Sequence, residues 1–479
     1  MNHIFHIFRR LLLILFSGIV CSCSSWLDLK PSGSITEEEL LSTKDGFYQA
    51  LNGIYLDLNK DELYGATLLF RDIEILAQRY SISSGNENYT ALSGYDYKSE
   101  YSKTVFQNTW NTAYNLILSA NKLLQNAEIR KDMLGEDYNI IRGELFGLRA
   151  MLHFDLLRIF GPVLQLNPHD KAIPYNTKTN LGINEILPAD KVVEHIVADL
   201  TEAEKALKSD PIIDQGPLFS ETDNNNTRFR TLRLNYYAIK GLQARLYLYA
   251  CPLDNNFRKK AFDAATAVIR DNEIKNWFTF VDQSEIRGVA PDRIFSTEVL
   301  FMNQNNHRVS IFQNYFDPAV SNENILAPDD ETLSNLYTNE KDVRRDPLWL
   351  TSPEKGFRCL YKYATVKNSR SNDMIPMIRL SEMYLIAAET AESSEEGLGY
   401  LNQFLPRRGL GILDPGTDLN GALQTEYRRE FFAEGQLFYY YKRQNLNYIP
   451  LKSDLPWEAK YVTSDVYVIP LPDSEMMYR

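Results

Sequence analysis

Apolar residues recur at helical spacing along most of the chain. In the segments 106–124, 141–159 and 192–207 they lie three and four positions apart, as on one face of an α-helix. Gly161 and Pro162 follow the second segment, and proline cannot continue a helix, so we expect that helix to end near residue 160. The same spacing returns at 238–249, 257–271, 377–389, 397–405 and 423–443. The pattern predicts a mainly α-helical protein.

Small residues occur where neighbouring helices would have to pack closely, at Gly241, Ala244, Ala261, Ala265, Ala387 and Ala388. Paired amphipathic helices with small residues at their crossings are typical of tetratricopeptide repeats, whose period is about 34 residues. Long inserts interrupt that period here, between residues 207 and 233 and between 278 and 374. We therefore expect tetratricopeptide-like helix pairs that form a scaffold with long loops, and a few short strands near 299–302 and 467–471.

Aromatic residues are concentrated in two of the predicted loops. The chain contains 29 tyrosines, and the loop at 79–101 holds five of them among serine, glycine and asparagine. The second loop, at 278–374, contains Phe312, Tyr315, Phe316, Trp349, Tyr361 and Tyr363. Long loops in compact domains are commonly functional, and an aromatic ring presents an apolar face and, in tyrosine, a polar tip. Both loops are therefore candidates for ligand binding.

Charge and cysteine content exclude some classes of function. The formal net charge is −12, so the phosphate backbone of a nucleic acid is a poor ligand. Four cysteines in 479 residues cannot build a disulfide framework. Cys251 and Cys359 could pair in an oxidising compartment or remain as two free buried thiols, and the sequence leaves both possibilities open.

The first 22 residues have the composition of a secretory signal peptide. Two arginines precede an apolar run at 11–20, which is only about half the length that a membrane-spanning helix needs. The Cys-Ser-Cys run that follows resembles a bacterial lipobox, in which a cysteine receives lipid after cleavage. Cys23 is the better acceptor because the small Ser22 precedes it, whereas a bulky valine precedes Cys21. The alternative is a plain secreted protein with incidental cysteines.

Motifs that carry reaction chemistry are missing. The sequence contains no H-E-x-x-H, C-x-x-C, G-x-S-x-G or phosphate-loop pattern, and the histidines are isolated. The Asp-Asn-Asn-Asn run at 223–226 has oxygen ligands but lacks the glycine and distant glutamate of a calcium loop. We expect no enzyme activity, no metal site and no cofactor. A surface glycoside hydrolase stays as a remote alternative, because the spacing of paired carboxylates depends on the fold.

Six short motifs, in order along the chain, resemble those of the SusD/RagB family of outer-membrane nutrient-binding lipoproteins of Bacteroidetes. They are the opening at 23–31, the R-A-x-x-x-F-D-L-x-R-x-F-G helix at 149–161, a D-x-R element at 342–344, the I-R-L-x-E-x-Y-L helix around 377–389, the E-x-R-R-E-x-x-x-E-G segment at 426–436, and a closing I-P-x-P at 469–472. The charges in these motifs are expected to hold the scaffold together. Arg379 and Glu382, three positions apart, could pair on one helix face. Glu430 and Glu434, one turn apart, could hold an arginine across a helix crossing, and the candidates are Arg428, Arg429 and Arg379.

The resemblance implies a fold, a location and a partner. The fold would be SusD-like, with residues 1–22 as signal peptide and the regions 23–235 and 236–479 packed as one unit. The protein would lie in the cell outer membrane, lipid-anchored through Cys23 and facing the exterior. It would bind extracellular glycan and deliver it to a SusC-like TonB-dependent transporter. Peptide or another nutrient is the alternative cargo, and the low tryptophan count of five slightly favours that alternative.

The binding loops of the family are poorly matched in sequence, so the candidate ligand residues come from this chain alone. Aromatic rings can cover the apolar C–H face of a sugar, and amide, carboxylate and guanidinium groups can bind its hydroxyls. The candidates are Tyr80, Tyr89, Tyr95 and Tyr97 from the first loop and Trp349 from the second, with Arg71, Asp72, Asn86 and Asn88 as polar partners.

Overall fold

The computed structural model describes residues 36–180, 182–217, 225–452 and 458–477. The predicted signal peptide and the predicted lipid acceptor, Cys23, lie outside these residues. Within the described ranges, no helix has both the length and the apolar character needed to cross a lipid bilayer.

Helices dominate the N-terminal half. They are α1 (Glu37–Leu40), α2 (Lys44–Asp57), α3 (Asp72–Leu76), α4 (Glu87–Ser93), α5 (Glu100–Ile129), α6 (Lys131–Leu134), α7 (Asp137–Phe160), α8 (Ala189–Ala206) and α9 (Ile212–Gln215). The antiparallel strands β1 (Lys171–Pro174) and β2 (Ile186–Pro188) connect α7 to α8. Helix α7 is buried along most of its length and packs against α5 and α8. It ends at Phe160 as predicted, with Gly161 as its C-cap.

The C-terminal half continues the helical pairs. They are α10 (Tyr236–Ala250), α11 (Asn256–Lys275), α12 (Gln283–Ile286), α13 (Arg308–Tyr315), α14 (Asp330–Leu336), α15 (Leu380–Thr390), α16 (Ser394–Phe404), α17 (Leu419–Glu430), α18 (Leu437–Gln444) and α19 (Asp473–Met476). Helix α11 packs against both α10 and α15, and α15 packs against α16. Ala261 and Ala265 are completely buried in α11, so their small size permits this close packing.

The remaining described strands form short antiparallel pairs. Strand β3 (Val299–Gln304) pairs with β6 (Met374–Arg379), β4 (Trp349–Thr351) pairs with β5 (Arg358–Leu360), and β7 (Tyr448–Pro450) pairs with β8 (Ala459–Tyr461). The architecture is mainly α, with helix pairs, long loops and a few short strands, which confirms the predicted fold class.

Three element boundaries differ from the prediction. Residues 377–379 belong to β6, so α15 begins only at Leu380. The predicted helix at 423–443 is two helices, because Ala433 and Gly435 between them have φ angles of 58° and 68°. A side chain at Gly435 would meet the Leu68 carbonyl oxygen at 2.1 Å, so glycine is required there. The predicted strand at 467–471 is absent from the described sheets.

The charges of the sequence motifs form a buried ionic cluster around Glu430. Its carboxylate accepts hydrogen bonds from Arg408 (2.6 and 3.0 Å), Arg344 (3.0 Å) and Arg379. Glu298 binds Arg408 from the other side at 2.6 and 2.7 Å. We call these five residues the Glu430 cluster. They join β6 and α17 to the 3-10 turn that precedes β3, the loop at 344 and the 3-10 turn that ends at Arg408. The scaffold role is as predicted.

Of the two pairings considered for Arg379, the one with Glu382 does not form. Glu382 accepts two hydrogen bonds of 2.6 Å from Arg245 and does not pair with Arg379. The reason is that Arg379 is the last residue of β6 and only flanks α15, so the two side chains do not share a helix face. Arg379 donates instead to Glu434 at 2.9 and 3.0 Å, in addition to Glu430.

Candidate functional site

Part of the first aromatic loop is folded into a short helix, α4. The side chain of Asn86 caps this helix, because its Oδ1 accepts a hydrogen bond of 3.0 Å from the Tyr89 amide. Its Nδ2 donates to Asn324 Oδ1 at 2.9 Å, which ties the first loop to the second. Asn88 is exposed, and Tyr89 is half-buried on the same helix. Asn86 therefore positions Asn88 and Tyr89 at the surface.

Tyr89 lies in a group of three tyrosines around Arg71. The rings of Tyr89 and Tyr101 meet edge to face with 6.2 Å between their centroids. Arg71 Nη1 donates to the Tyr315 hydroxyl at 2.9 Å, and Tyr315 is half-buried. We call Arg71, Asn88, Tyr89, Tyr101 and Tyr315 the Tyr89 surface. It combines residues of both aromatic loops.

Asp72 holds this surface in place from below. It is fully buried, accepts a hydrogen bond of 2.7 Å from the Tyr101 hydroxyl, and accepts 2.8 Å and 2.9 Å bonds from Arg71 and Thr67. Burial, followed by the Asp72 charge, raises the pKa of Tyr101, so its hydroxyl stays protonated and able to donate. Asp72 is therefore a supporting residue that does not itself face solvent.

Tyr80 and Trp349 lie in the core, which corrects their proposed place in the ligand surface. Tyr80 is 7% exposed, and its hydroxyl donates to the Phe70 carbonyl at 2.6 Å. Trp349 is 1% exposed and packs edge to face on Phe432, with 4.8 Å between centroids. Both rings contact Phe432, so burial against one aromatic core explains their positions.

Tyr95 and Tyr97 face the C-terminal segment and not the Tyr89 surface. The Tyr95 hydroxyl donates to Leu76 O at 3.1 Å, and Lys460 Nζ lies 4.5 Å from the centre of its ring. The Tyr97 hydroxyl donates to Val466 O at 2.5 Å. These tyrosines anchor the chain near residues 460–466 to the first loop.

Sequence reasoning missed two tyrosines of this surface, Tyr101 and Tyr315. Tyr101 is the second residue of α5, and Tyr315 is the last residue of α13. Both occur in the aromatic loops that the sequence singled out, but only the tertiary contacts with Arg71 and Asp72 show that they belong together. Tyr315 also lines an adjoining cleft of about 340 Å³ with Lys60, His307 and Asn314.

Other chemistry is limited among the residues that the structure describes. They contain no group of three or more His, Cys, Asp or Glu side chains arranged to hold a metal ion. Cys251 and Cys359 are free thiols, which decides between the two possibilities left open by the sequence. Burial raises the pKa of both thiols to about 11, so they are protonated at neutral pH.

Family models match two overlapping stretches of the chain. A model described as "Starch-binding associating with outer membrane" matches residues 25–219, and one described as "SusD family" matches residues 161–476. The chain is 24% identical over 497 aligned residues to the SusD-like protein P38 of Formosa agariphila, covering 91% of this chain and 90% of that protein. The predicted division at residue 235 stays a prediction.

Solved structures share the fold. A SusD superfamily protein of Bacteroides thetaiotaomicron has a TM-score of 0.71 at 23% identity, covering 91% of this chain and 98% of its own. A SusD-like carbohydrate binding protein of Bacteroides vulgatus has a TM-score of 0.68 at 19% identity, covering 91% and 96%. Because the second family model spans more than half of the sequence, the chain belongs to the SusD family, a family of outer-membrane-associated binding proteins rather than enzymes.

Proposed function

We propose that this protein is a surface lipoprotein that binds an extracellular glycan at the Tyr89 surface and delivers it to a SusC-like TonB-dependent transporter. Lipid on Cys23 anchors it in the outer membrane, with the helical body facing the cell exterior. No bond of the cargo is broken. Family membership supports the class of ligand and the association with the outer membrane, and the Tyr89 surface supplies the residues.

One observation supports this location of the binding site: hydrogen bonds to buried polar groups hold rings from both aromatic loops at the surface. Arg71 and Asp72 fix Tyr315 and Tyr101, and Tyr101 packs against Tyr89. A surface that is ordered before the ligand arrives loses less conformational entropy on binding. The tyrosines can cover the C–H faces of sugar rings, while Asn88 and Arg71 can bind hydroxyls.

The expected affinity is modest. Each aromatic contact contributes about 0.5–1.5 kcal/mol beyond the area it buries. A few such contacts, less the cost of ordering a flexible oligomer, correspond to a Kd in roughly the micromolar to millimolar range. Weak binding suits a protein that releases its cargo to a transporter.

Peptide is the second candidate cargo, because surfaces rich in tyrosine and asparagine also bind peptide segments. Isothermal titration of the full-length protein in detergent against neutral and acidic oligosaccharides and against short peptides separates the two. We expect binding to at least one oligosaccharide and none to the peptides. Peptide binding without oligosaccharide binding contradicts the glycan proposal, and turnover of any ligand contradicts the proposal that the protein only binds.

Two variants test the site. Tyr89→Ala removes the ring at the centre of the surface, and we expect at least a tenfold loss of affinity. Tyr461→Ala is the matched control, because this tyrosine is 69% exposed on β8, outside the Tyr89 surface. Equal affinities of the two variants would place the ligand elsewhere.

The anchor and the partner are tested separately. Cys23→Ser removes the acceptor of the lipid, and we expect the protein to leave the outer-membrane fraction. Retention of this variant in the membrane contradicts an anchor at Cys23. Affinity purification of the wild-type protein from outer membranes is expected to recover a TonB-dependent transporter in stoichiometric amount, and its absence contradicts the delivery role.

A further inference from the structure

A second cleft lies along α5, on its side facing the β1–β2 connection. Its volume is about 560 Å³, and six asparagines line it: Asn111, Asn115, Asn121, Asn176, Asn180 and Asn184. We call it the asparagine cleft. Tyr114, which is half-buried, also lines it, and Trp110, which is only 4% exposed, packs behind Tyr114. Amide groups and one accessible aromatic ring therefore meet in one concave surface.

The sequence places these groups by helical periodicity. Residues four positions apart share a helix face, so Asn111 and Asn115 form one row on α5, and Trp110 and Tyr114 form the adjacent row. The opposite wall is the β1–β2 connection, which contributes asparagines from 176 to 184. None of these residues belongs to the Tyr89 surface.

The aromatic wall of the cleft is held rigidly. The rings of Trp110 and Tyr114 lie 4.7 Å apart, and the Tyr114 hydroxyl donates to the Pro174 carbonyl at 2.8 Å. Trp110 also packs edge to face on Phe160 with 5.1 Å between centroids. These contacts fix the position of both rings before any ligand binds.

The opposite wall is tied to the helical core. Asn121 Nδ2 donates to the carbonyls of Asn176 (2.9 Å) and Lys178 (3.2 Å), and its Oδ1 accepts from Arg149 at 2.8 Å. The backbone N–H of Asn176 donates a hydrogen bond to His153 Nε2 at 3.0 Å. Asn121 is therefore part of the scaffold, and the connection is held at a fixed distance from α5.

Two asparagine side chains in this cleft have no hydrogen-bond partner among the described residues. The side chains of Asn115 and Asn180 are exposed and form no hydrogen bond with any described residue. The Oδ1 of Asn176 also accepts no hydrogen bond within the described part of the chain, but it is inaccessible to solvent and therefore does not count as a ligand contact. An amide both donates and accepts, so a ligand with neighbouring hydroxyl groups can satisfy it at two points. The unpaired amides of Asn115 and Asn180 beside the fixed ring of Tyr114 are suited to a saccharide.

The charged residues of the cleft indicate whether a neutral or an acidic saccharide fits it better. Lys178 and Glu475 are the charged residues among its described lining, and their formal charges cancel. We propose that the asparagine cleft is a second binding site, which takes a sugar unit of a neutral oligosaccharide. This inference rests on the proposed function for the class of ligand, but not for the position of the site.

The two sites share one helix. Tyr101 of the Tyr89 surface and Asn115 of the cleft are fourteen positions apart on α5, which corresponds to about 20 Å at a rise of ~1.5 Å per residue. Two sites on a rigid helix can hold one long oligosaccharide or two short ones. A short oligosaccharide is therefore expected to bind with two molecules per protein, one in each site.

The test uses the double variant Asn115→Ala/Asn180→Ala. Both side chains are exposed and unbonded, so we expect the thermal unfolding temperature of the variant to equal that of wild type. Asn108→Ala is the matched control, because Asn108 is an exposed asparagine on α5 outside the cleft. The probes are maltohexaose, cellohexaose, xylohexaose and mannohexaose as neutral ligands, and trigalacturonate as an acidic one.

With at least one neutral probe, we expect titration to show two sites on wild type and on Asn108→Ala. The double variant is expected to lose one site or to bind there at least fivefold more weakly. An unchanged titration of the double variant overturns the inference, as does tighter binding of trigalacturonate than of every neutral probe at this site.

The outcomes separate the two proposals. Loss of binding in Tyr89→Ala with an unchanged double variant overturns this inference and supports the Tyr89 surface. Loss in the double variant with an unchanged Tyr89→Ala supports this inference and contradicts the Tyr89 surface as the site. Absence of oligosaccharide binding by wild type contradicts both.

Discussion

The Glu430 cluster and the Tyr89 surface both combine arginines with hydrogen-bonded polar partners, yet they differ in accessibility. In the Glu430 cluster, the arginines and carboxylates are almost completely buried and paired with one another. In the Tyr89 surface, Asp72 is buried beneath, while the rings above it and Asn88 remain partly or fully exposed. The polar groups of the Glu430 cluster are therefore not accessible to a ligand, whereas those of the Tyr89 surface are.

The comparison teaches that residue type alone does not separate scaffold from site. A buried charge is tolerated only when it is paired and hydrogen-bonded, so arginines in the interior are committed to internal partners. At the surface, the same pairing fixes a side chain while leaving its neighbours available. A side chain can therefore bind a ligand only if it keeps accessible surface or an unused hydrogen-bond donor or acceptor after folding.

The largest expected effect is on stability, from Glu430→Gln. Three arginines share this carboxylate, and removing its charge leaves buried positive charges poorly compensated, at a cost of about 3–5 kcal/mol in the free energy of unfolding. Urea denaturation measures this. The exposed pair of Lys259 and Asp263 gives the control, since Asp263→Asn is expected to cost less than about 1 kcal/mol. Equal costs would contradict the assigned scaffold role.

The same cluster predicts a pH dependence. Burial alone raises the pKa of Glu430, but Arg408, Arg379 and Arg344 outweigh it and hold the pKa well below its ordinary value of 4.5. A carboxylate with a depressed folded pKa stabilises the fold fully above its unfolded pKa and loses that contribution as the pH falls through the folded value. We therefore expect the free energy of unfolding of Glu430→Gln to fall less steeply than that of wild type as the pH is lowered, as measured by urea denaturation.

The next effect concerns His153, a buried group beneath the asparagine cleft. It is 0% exposed, and burial lowers its pKa to about 3. Because the unfolded chain binds this proton from pH ~6.5 downward, stability falls by about 1.4 kcal/mol per pH unit below that point until the folded pKa is reached. In His153→Gln, urea denaturation between pH 6.5 and 4.5 should show a slope shallower by this amount. Identical slopes would mean that His153 is protonated in the fold.

A smaller effect distinguishes Tyr80 from the tyrosines of the Tyr89 surface. Tyr80→Phe removes one buried hydrogen bond to the Phe70 carbonyl, so we expect a loss of about 1 kcal/mol in the free energy of unfolding. The affinity for oligosaccharide should not change, because the ring is enclosed by the core. Denaturation and calorimetry on the same preparation measure both quantities. A weaker affinity at unchanged stability would return Tyr80 to the binding site.

The smallest effect concerns the support of the surface. Tyr315→Phe keeps the ring but removes the acceptor of the 2.9 Å hydrogen bond from Arg71. We expect affinity to fall about threefold, which is ~0.7 kcal/mol, because Arg71 loses one of the bonds that position it. The free energy of unfolding should stay within about 0.5 kcal/mol of wild type, since Tyr315 is only half-buried. An unchanged affinity would show that Arg71 needs no such support.

Much of the fold was predictable because its signals are local. Helical periodicity located α5, α7, α8, α10, α11 and α16, and a proline marked the end of α7. Prediction failed where long-range contacts decided the backbone. Residues 377–379 pair as a strand with β3, and Gly435 adopts a left-handed conformation because the Leu68 carbonyl packs against it.

The candidate site was predictable only in part. The first loop contributes the exposed Asn88 and the half-buried Tyr89 to the surface, and their role in ligand binding, like that of Arg71, stays a prediction. Tyr80 and Trp349 were assigned to the same surface, but both pack on Phe432. An aromatic residue in a loop has the same local sequence signal whether its ring faces the solvent or the core.

Composition, periodicity and ordered motifs by themselves determined that this chain is a mainly α-helical SusD-type protein without recognisable reaction motifs, because those signals depend on neighbours along the sequence. Only the tertiary structure decided which tyrosines face solvent, which arginines are committed to Glu430, and which asparagines line a common cleft. Those properties depend on burial and on hydrogen bonds between residues far apart in the chain, and no local pattern records them.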